Sequence, residues 1–155
     1  MDVQRLGASF CRYDELYSLI RSAFACMDGR IDPPSSALRL TAASLEQKAL
    51  AEIVFLAVDR DDIVGCIFCR PETDCLYVGK LAVLPERQGS GVGRMLLSAA
   101  ERQAHALGLS ALRLETRIEL VENHTRFRVW GFEKTAEKRH AGYDRTTSIE
   151  MTKRL

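Results

Sequence analysis

Between Leu81 and Arg94 a strand-like run, Leu81-Ala82-Val83-Leu84, passes through Pro85 into the turn Gln88-Gly89-Ser90-Gly91-Val92-Gly93 and then into a helical pattern. This junction constrains the chain more than any other segment. The first amides of a helix lack intrahelical acceptors, and the macrodipole places about half a positive charge there. Glycines let the backbone curve and let a bulky anion approach those amides. Arg87 and Arg94 add positive charge nearby. The segment reads as a phosphate or pyrophosphate cradle between a strand and a helix, which requires an α/β architecture. It is not a P-loop, because no lysine stands in it. It is not a dinucleotide fingerprint either: counted from Gly89 the third glycine position is Arg94, and from Gly91 it is Leu96.

The remaining pattern supplies the rest of that architecture. Val3 to Leu6 predicts a short first strand. Leu16, Leu19, Ile20, Ala23 and Phe24 share one face of a helix, with Asp14 as its predicted cap. Met27 to Ser36, with Gly29 and Pro33-Pro34, reads as a loop. A second helix is predicted over Thr41 to Glu52, with Ser44 and Gln47 as a capping box and Thr41 as the rival cap. Ile53 to Val58 and Ile63 to Cys69 predict an antiparallel hairpin around a charged turn, and Cys75 to Val83 the next strand. A long helix from Gly91 places Val92, Met95, Leu96, Ala99, Gln103, Ala106 and Leu107 on one face, ending at Gly108. Ala111 to Thr116 predicts a strand, Glu119 to Trp130 a helix, and Phe132 to Arg139 and Thr146 to Thr152 a final strand pair. The result is a mixed α/β sheet in a single domain over residues 1–155, with a parallel crossover between Leu76 and Glu115.

Composition excludes several classes. The formal net charge is +1, with acids and bases interspersed, unlike the basic footprint of a nucleic-acid binder. No apolar run approaches the roughly 20 residues of a membrane helix. Met1 to Phe10 lacks the layout of a secretory signal, so a cytoplasmic location is expected. The five cysteines are odd in number. Cys66 and Cys69 form a C-x-x-C, but inside a strand, where residues three apart point to opposite faces. Neither a redox pair nor a metal site is expected.

The turn carries a more specific resemblance. Gln88, Gly91 and Gly93 match [QR]-x-x-G-x-[GA], preceded by Leu81-Ala82-Val83-Leu84-Pro85. In residues and in context this closely resembles the acetyl-CoA signature of the GNAT acetyltransferase superfamily. The order of elements and a late Gly131-Phe132 pair after a helix extend the resemblance over most of the chain. It implies the GNAT fold and acetyl-CoA as cosubstrate, without a metal. It implies that Gln88, Gly89, Ser90, Gly91, Val92, Gly93 and Arg94 surround the pyrophosphate. It also implies that backbone groups of Leu81 and Val83 pair with the pantetheine arm, next to Asn123 and Phe127. A switch of apolar parity, from Leu76 and Val78 to Leu81 and Val83, predicts a bulge at Gly79-Lys80, which in the family splays this strand from its neighbour.

Transfer to an amine needs a base, an oxyanion donor and a route for the leaving thiolate. Glu115 stands where some family members carry a basic glutamate; the other reading is a surface carboxylate paired with Arg113 or Arg117. His140 and Glu119 are weaker candidates. Many members carry a tyrosine four residues before the Gly-Phe pair; here that position is Phe127, which has no proton to give. Asn123 also stands about one turn later than the usual asparagine, and capping of the last helix is its alternative role. Tyr143 and His124 are the substitute acids. The expected activity is acetyl transfer to a primary amine, small-molecule or peptide. Transfer of another acyl group, acetylation of a protein N-terminus and a catalytically weak CoA-binding module are the alternatives. A homodimer is compatible with the resemblance. The loop Asp28 to Pro34 is placed to shape an acceptor site, whose amine the sequence does not identify.

Overall fold

The computed structural model describes residues 1–155. In chain order the elements are β1 (Asp2–Arg5), α1 (Tyr13–Phe24), α2 (Ala42–Ala51), β2 (Ile53–Asp59), β3 (Asp62–Pro71), β4 (Leu76–Val83), α3 (Val92–Ala106), β5 (Ala111–Arg117), α4 (Val121–Val129), β6 (Glu133–Lys138) and β7 (Ser148–Arg154). The order matches the sequence reading element for element. One seven-stranded sheet runs β1-β2-β3-β4-β5-β7-β6. It is antiparallel except at β4–β5, which pair in parallel, because α3 must carry the chain back along the sheet.

Two apolar layers cover the two faces. α1 and α2 bury Leu16, Leu19, Ile20 and Leu45 against Val54, Leu56, Cys66 and Phe68. On the other face α3 buries Val92, Leu96, Leu97, Ala100 and Ala104 against Ile67, Cys69, Leu76, Val78 and Leu112. Cys66 and Cys69 therefore lie in different layers, and burial pushes both thiols up to about 12. Two such thiols cannot share a ligand.

Several local readings are corrected. Asp14 does not cap α1: the cap position is Arg12, whose guanidinium instead holds Glu15 on both carboxylate oxygens. In α2 the cap is Thr41 with Ser44 as its reciprocal partner, so the capping box lies three residues earlier than Ser44-Gln47. Helix α3 turns Ala100 and Ala104 inward, while Ala106 and Leu107 are exposed; its end is as read, with Leu107 as the cap and Gly108 following as the left-handed C′ residue at φ +72°. The predicted last helix starts later, at Val121, with Leu120 as its cap, so Asn123 lies inside the helix and does not cap it.

The contact between α3 and the sheet rests on one glycine. A Cβ at Gly65 would stand 2.9 Å from Val92 Cγ1, 3.0 Å from Leu96 Cδ1 and 3.1 Å from the Ala82 carbonyl oxygen. Absence of that carbon lets the helix that begins at the glycine-rich turn sit close to β3. Gly65→Ala should lower stability by about 1–3 kcal/mol through overpacking. Chemical denaturation measures this, and an unchanged midpoint with unchanged slope would refute so tight a contact.

Candidate active site

Strands β4 and β5 pair over three registers only: Leu76↔Leu112, Tyr77↔Arg113 and Val78↔Leu114. Beyond Val78 they part. On the other side β4 stays paired to β3, but the register slips: Phe68 faces Lys80 and Cys69 faces Val78. Gly79 is the extra residue, the bulge that the parity switch predicts. Leu76 and Val78 before it, and Leu81 and Val83 after it, all pack in the α3 layer. The Leu84 N–H donates to the Val64 carbonyl on β3. By strand alternation Leu81 and Val83 turn their backbone groups away from β3, toward the gap. The Val83 carbonyl accepts from the Gln88 side chain at 3.3 Å, consistent with that direction.

The same strand ends at the glycine-rich turn. Gly89 and Gly91 have φ of +80° and +91°. A Cβ at either would meet nothing within 4 Å, so the concave side is open. The Ser90 hydroxyl donates to the Arg87 carbonyl and the Gln88 N–H to the Pro85 carbonyl, which shapes the turn. The first helical bond of α3 runs from the Met95 N–H to the Gly91 carbonyl. The N–H groups of Gly89, Gly91, Val92, Gly93 and Arg94 donate to no acceptor in the chain. Five convergent amides at a helix N-terminus form an anion cradle. Gly93 also admits Trp130, whose ring lies 3.2 Å from where a Cβ would stand. Arg87 is engaged elsewhere, in an ion pair of 2.8 Å with Asp59. Arg94 and Arg126 flank the cradle with no ion-pair partner. Arg126 has no counterpart in the sequence reading, because an exposed helical arginine carries no motif.

Two cavities meet at the gap. One, of about 440 Å³, takes in the cradle, Leu81, Val83 and the α4 residues Asn123, Arg126 and Phe127. The other, of about 510 Å³, takes in Tyr77 to Leu81, Leu114 to Arg117, His140, Tyr143 and the Ile31 to Ser36 loop. Phe24, Met27, Leu81, Leu120, Asn123 and Phe127 line both. Phe127 is held edge-on against Trp130 and Phe132, with ring centroids at 5.9 and 5.6 Å. Phe127 lines both cavities and stands where they join.

Of the acid–base candidates, Glu115, His140 and Tyr143 line the second cavity, and Glu119 and His124 do not. Glu115 lies 3.4 Å from Arg113 and makes no ion pair with Arg117. Arg113 is shared with Glu72 at 2.8 Å and Glu150 at 3.1 Å. His140 is anchored by Thr147, whose hydroxyl contacts Nδ1 and accepts the His140 backbone N–H. Burial first, and then Arg117, hold its imidazole below the ordinary histidine range, so it is neutral near pH 7. His124 is buried with Nε2 2.9 Å from the Arg117 carbonyl, a backbone partner that takes it out of the running as an acid. Glu119 accepts the Asp32 N–H at 3.1 Å and stands 3.8 Å from Arg145. The Tyr143 hydroxyl donates to Asp32 at 2.7 Å.

That last contact belongs to a strap. The loop Asp28 to Pro34 is tied down by Arg30 to Glu122 at 2.6 Å, by Arg117 to the Pro33 and Pro34 carbonyls at 2.6 and 3.2 Å, and by Arg145 to Asp32 at 3.2 Å. The Tyr143 hydrogen bond, with Arg145 and Arg117 adding to it, holds the Asp32 carboxyl below the usual carboxylate range. A depressed carboxylate stabilises its contact above its unfolded pKa and loses it as pH falls through the folded one. Tyr143→Phe should therefore move the Asp32 titration to higher pH, as followed by carboxyl carbon NMR. An Asp32 curve identical in both proteins would show that the strap contact does not form in solution.

Comparison with known proteins agrees with this fold. The sequence model of the acetyltransferase (GNAT) family matches residues 13–132. An IAA acetyltransferase of Azospirillum brasilense is 36% identical over 91 residues, 57% of this chain and 60% of that protein. An aminoglycoside N(6')-acetyltransferase type 1 of Stenotrophomonas maltophilia is 43% identical over 53 residues, 34% of this chain and 35% of that protein. The aligned part thus spans less than two thirds of either relative. The crystal structure of PaiA N-acetyltransferase from Thermoplasma acidophilum, in complex with coenzyme A, superposes with a TM-score of 0.81 over 100% of both chains at 15% identity.

Proposed function

Because the chain belongs to the acetyltransferase (GNAT) family, we propose that it transfers an acetyl group from acetyl-CoA to a primary amine by direct attack on the thioester. The observation that carries this reading is the free edge of β4, opened by the Gly79 bulge and leading straight into five unengaged amides. The Thermoplasma relative was crystallised with coenzyme A, which supports the same assignment. No helix is long and apolar enough to cross a membrane.

The residues present fit such a cosubstrate. The amides of Gly89 and of Gly91 to Arg94 would hold the diphosphate, with Arg94 and Arg126 beside them. The outward backbone groups of Leu81 and Val83 would pair with the amide-bearing arm, and Asn123 would hydrogen-bond it where the cavities join. Acetyl-CoA supplies the thioester. A free β4 N–H at the bulged edge serves as donor to the developing oxyanion. Glu115 takes the proton from an ammonium whose pKa is roughly 10. His140, kept neutral by burial and Arg117, is the second base that the cavity offers. The Tyr143 phenol is held above its ordinary range by its bond to Asp32, so it stays protonated but must leave that carboxylate to serve a departing sulfur. Direct release of a thiolate, whose acid has a pKa of roughly 8.5, is the simpler course.

Two outcomes test this. Gly91→Asp puts bulk and negative charge into the cradle and should abolish acetyl-CoA binding in a folded protein. Calorimetric affinity within twofold of wild type would sink the assignment. Glu115→Gln should lower kcat/KM by about 10²–10⁴-fold, leave acetyl-CoA affinity unchanged and flatten the acid limb of the pH profile. Full activity with the wild-type profile would pass the role to His140, which His140→Gln then checks by the same assay.

A further inference from the structure

The second cavity has an electrostatic bias that the transfer chemistry does not use. Its charged lining consists of Arg39, Lys80 and Arg117 against the single carboxylate of Glu115, which is already paired with Arg113; Tyr77, His140 and Tyr143 complete its ionisable groups. Asp32 is outside the lining, ion-paired with Arg145 and accepting the Tyr143 hydroxyl. An amine bearing several further positive charges would meet net repulsion here.

Of the cations in this lining, Arg39 and Lys80 have no partner, and Lys80 is the half-buried one. It follows the Gly79 bulge on β4, half-buried, on the opposite strand from Glu115. Its Nζ makes no ion pair, although thirteen others form in the chain. Its one aromatic neighbour is the Phe24 ring, with Nζ 6.0 Å from the centroid. Glu52, whose charge reaches Lys80, is bound to Lys48 instead. Burial and then Lys48 draw the Lys80 pKa down, and an anion bound beside its ammonium would act in the opposite direction. A half-buried lysine whose three N–H donors are unused, on the wall of a cavity, suits an anionic group on a ligand. One such lysine matches a monoanion.

Resting on the transferase reading above, we propose that the acceptor is an amine that also carries a carboxylate, and that the Lys80 ammonium, with Arg39 from the Ser36–Arg39 turn, binds that carboxylate while Glu115 faces the amine.

Matched ligands test this without knowledge of the natural acceptor. The pairs are L-phenylalanine with 2-phenylethylamine and 4-(aminomethyl)benzoate with benzylamine, which differ only in the carboxylate and bracket a short and a long spacing. Kanamycin serves as the polycation. Binding is measured by calorimetry on the protein saturated with coenzyme A, and turnover by thiol release from acetyl-CoA. At least one carboxylated member should exceed its partner by about 10- to 100-fold in affinity or kcat/KM, the worth of one charge-assisted hydrogen bond. Lys80→Met, which keeps the aliphatic stem, should erase that preference by weakening only the carboxylated ligand, and Lys80→Arg should restore part of it. The wild-type comparison needs no variant, so a poorly folded mutant does not blunt the test. Equal loss for both members of a pair in Lys80→Met would reduce Lys80 to a packing role and overturn the inference. So would preference for the decarboxylated amines or for kanamycin. Lys80-dependent binding without thiol release would uphold the carboxylate site and overturn the transferase reading; thiol release without any carboxylate preference would do the reverse.

Discussion

The site depends on one interruption of backbone pairing. β4 and β5 share three registers and then separate, because Gly79 inserts an extra residue and swings the rest of β4 away. An interior strand ordinarily satisfies both of its edges. Here the edge carrying Leu81 and Val83 is left open in the middle of the sheet, which makes it an acceptor of another extended, amide-bearing segment. Since β4 runs directly into the glycine-rich turn, the open edge and the anion cradle are collinear. A bulge therefore does two things: it frees hydrogen-bonding groups, and it aligns them with the only other cluster of free amides nearby.

The second wall of the gap is assembled from distant parts of the chain. Arg30, Asp32, Pro33 and Pro34 lie in one loop. Their partners Glu122, Tyr143, Arg145 and Arg117 come from α4, the β6–β7 turn and β5. Each exposed pair contributes at most about 1 kcal/mol. Together they fix one loop at several points, so that its ordering entropy is shared among contacts that no two elements could supply alone. The strap closes the acceptor side of the gap and places Tyr143 on it with its proton already engaged.

Legibility in the sequence followed the range of the interactions. The element order, the β4 bulge and the cradle were readable because each depends on neighbours in sequence: a period of two or of 3.6, a parity switch, glycines before a helix. Cap assignments slipped where two local solutions compete. Asp14 is a good cap by type, but Arg12 is drawn toward Glu15 and Asp61 and the helix starts two residues sooner. Ala106 and Leu107 fit the helical period, yet the chain leaves the sheet at Gly108 and exposes them. The roles of Arg87, Arg126 and His124 were not legible at all. Arg87 reads as a phosphate ligand until β2 brings Asp59 to it. His124 reads as an acid until the fold sets its ring on the Arg117 carbonyl. Such assignments turn on contacts between different elements, seven residues apart for His124 and 28 for Arg87, which spacing does not encode.

The division of charge between the two cavities follows from the same geometry. Around the cradle most of the positive potential is supplied by backbone amides and the α3 dipole, whose orientation is fixed by the helix itself. Side-chain cations there are supplementary, and one of them, Arg87, can be used to tie the turn to β2. Around the proposed acceptor cavity the charge comes from side chains: Lys80 and Arg39 on one hand, Glu115 on the other. The partition between them is apolar, made of Phe24, Met27, Leu81, Leu120 and Phe127. A low-dielectric septum strengthens the field on each side and leaves Asn123 as the polar group common to both. A cradle suited to an anion and the pocket proposed to receive an amine can then adjoin each other, because the groups that would attract the one are backbone and those that would sort the other are side chains.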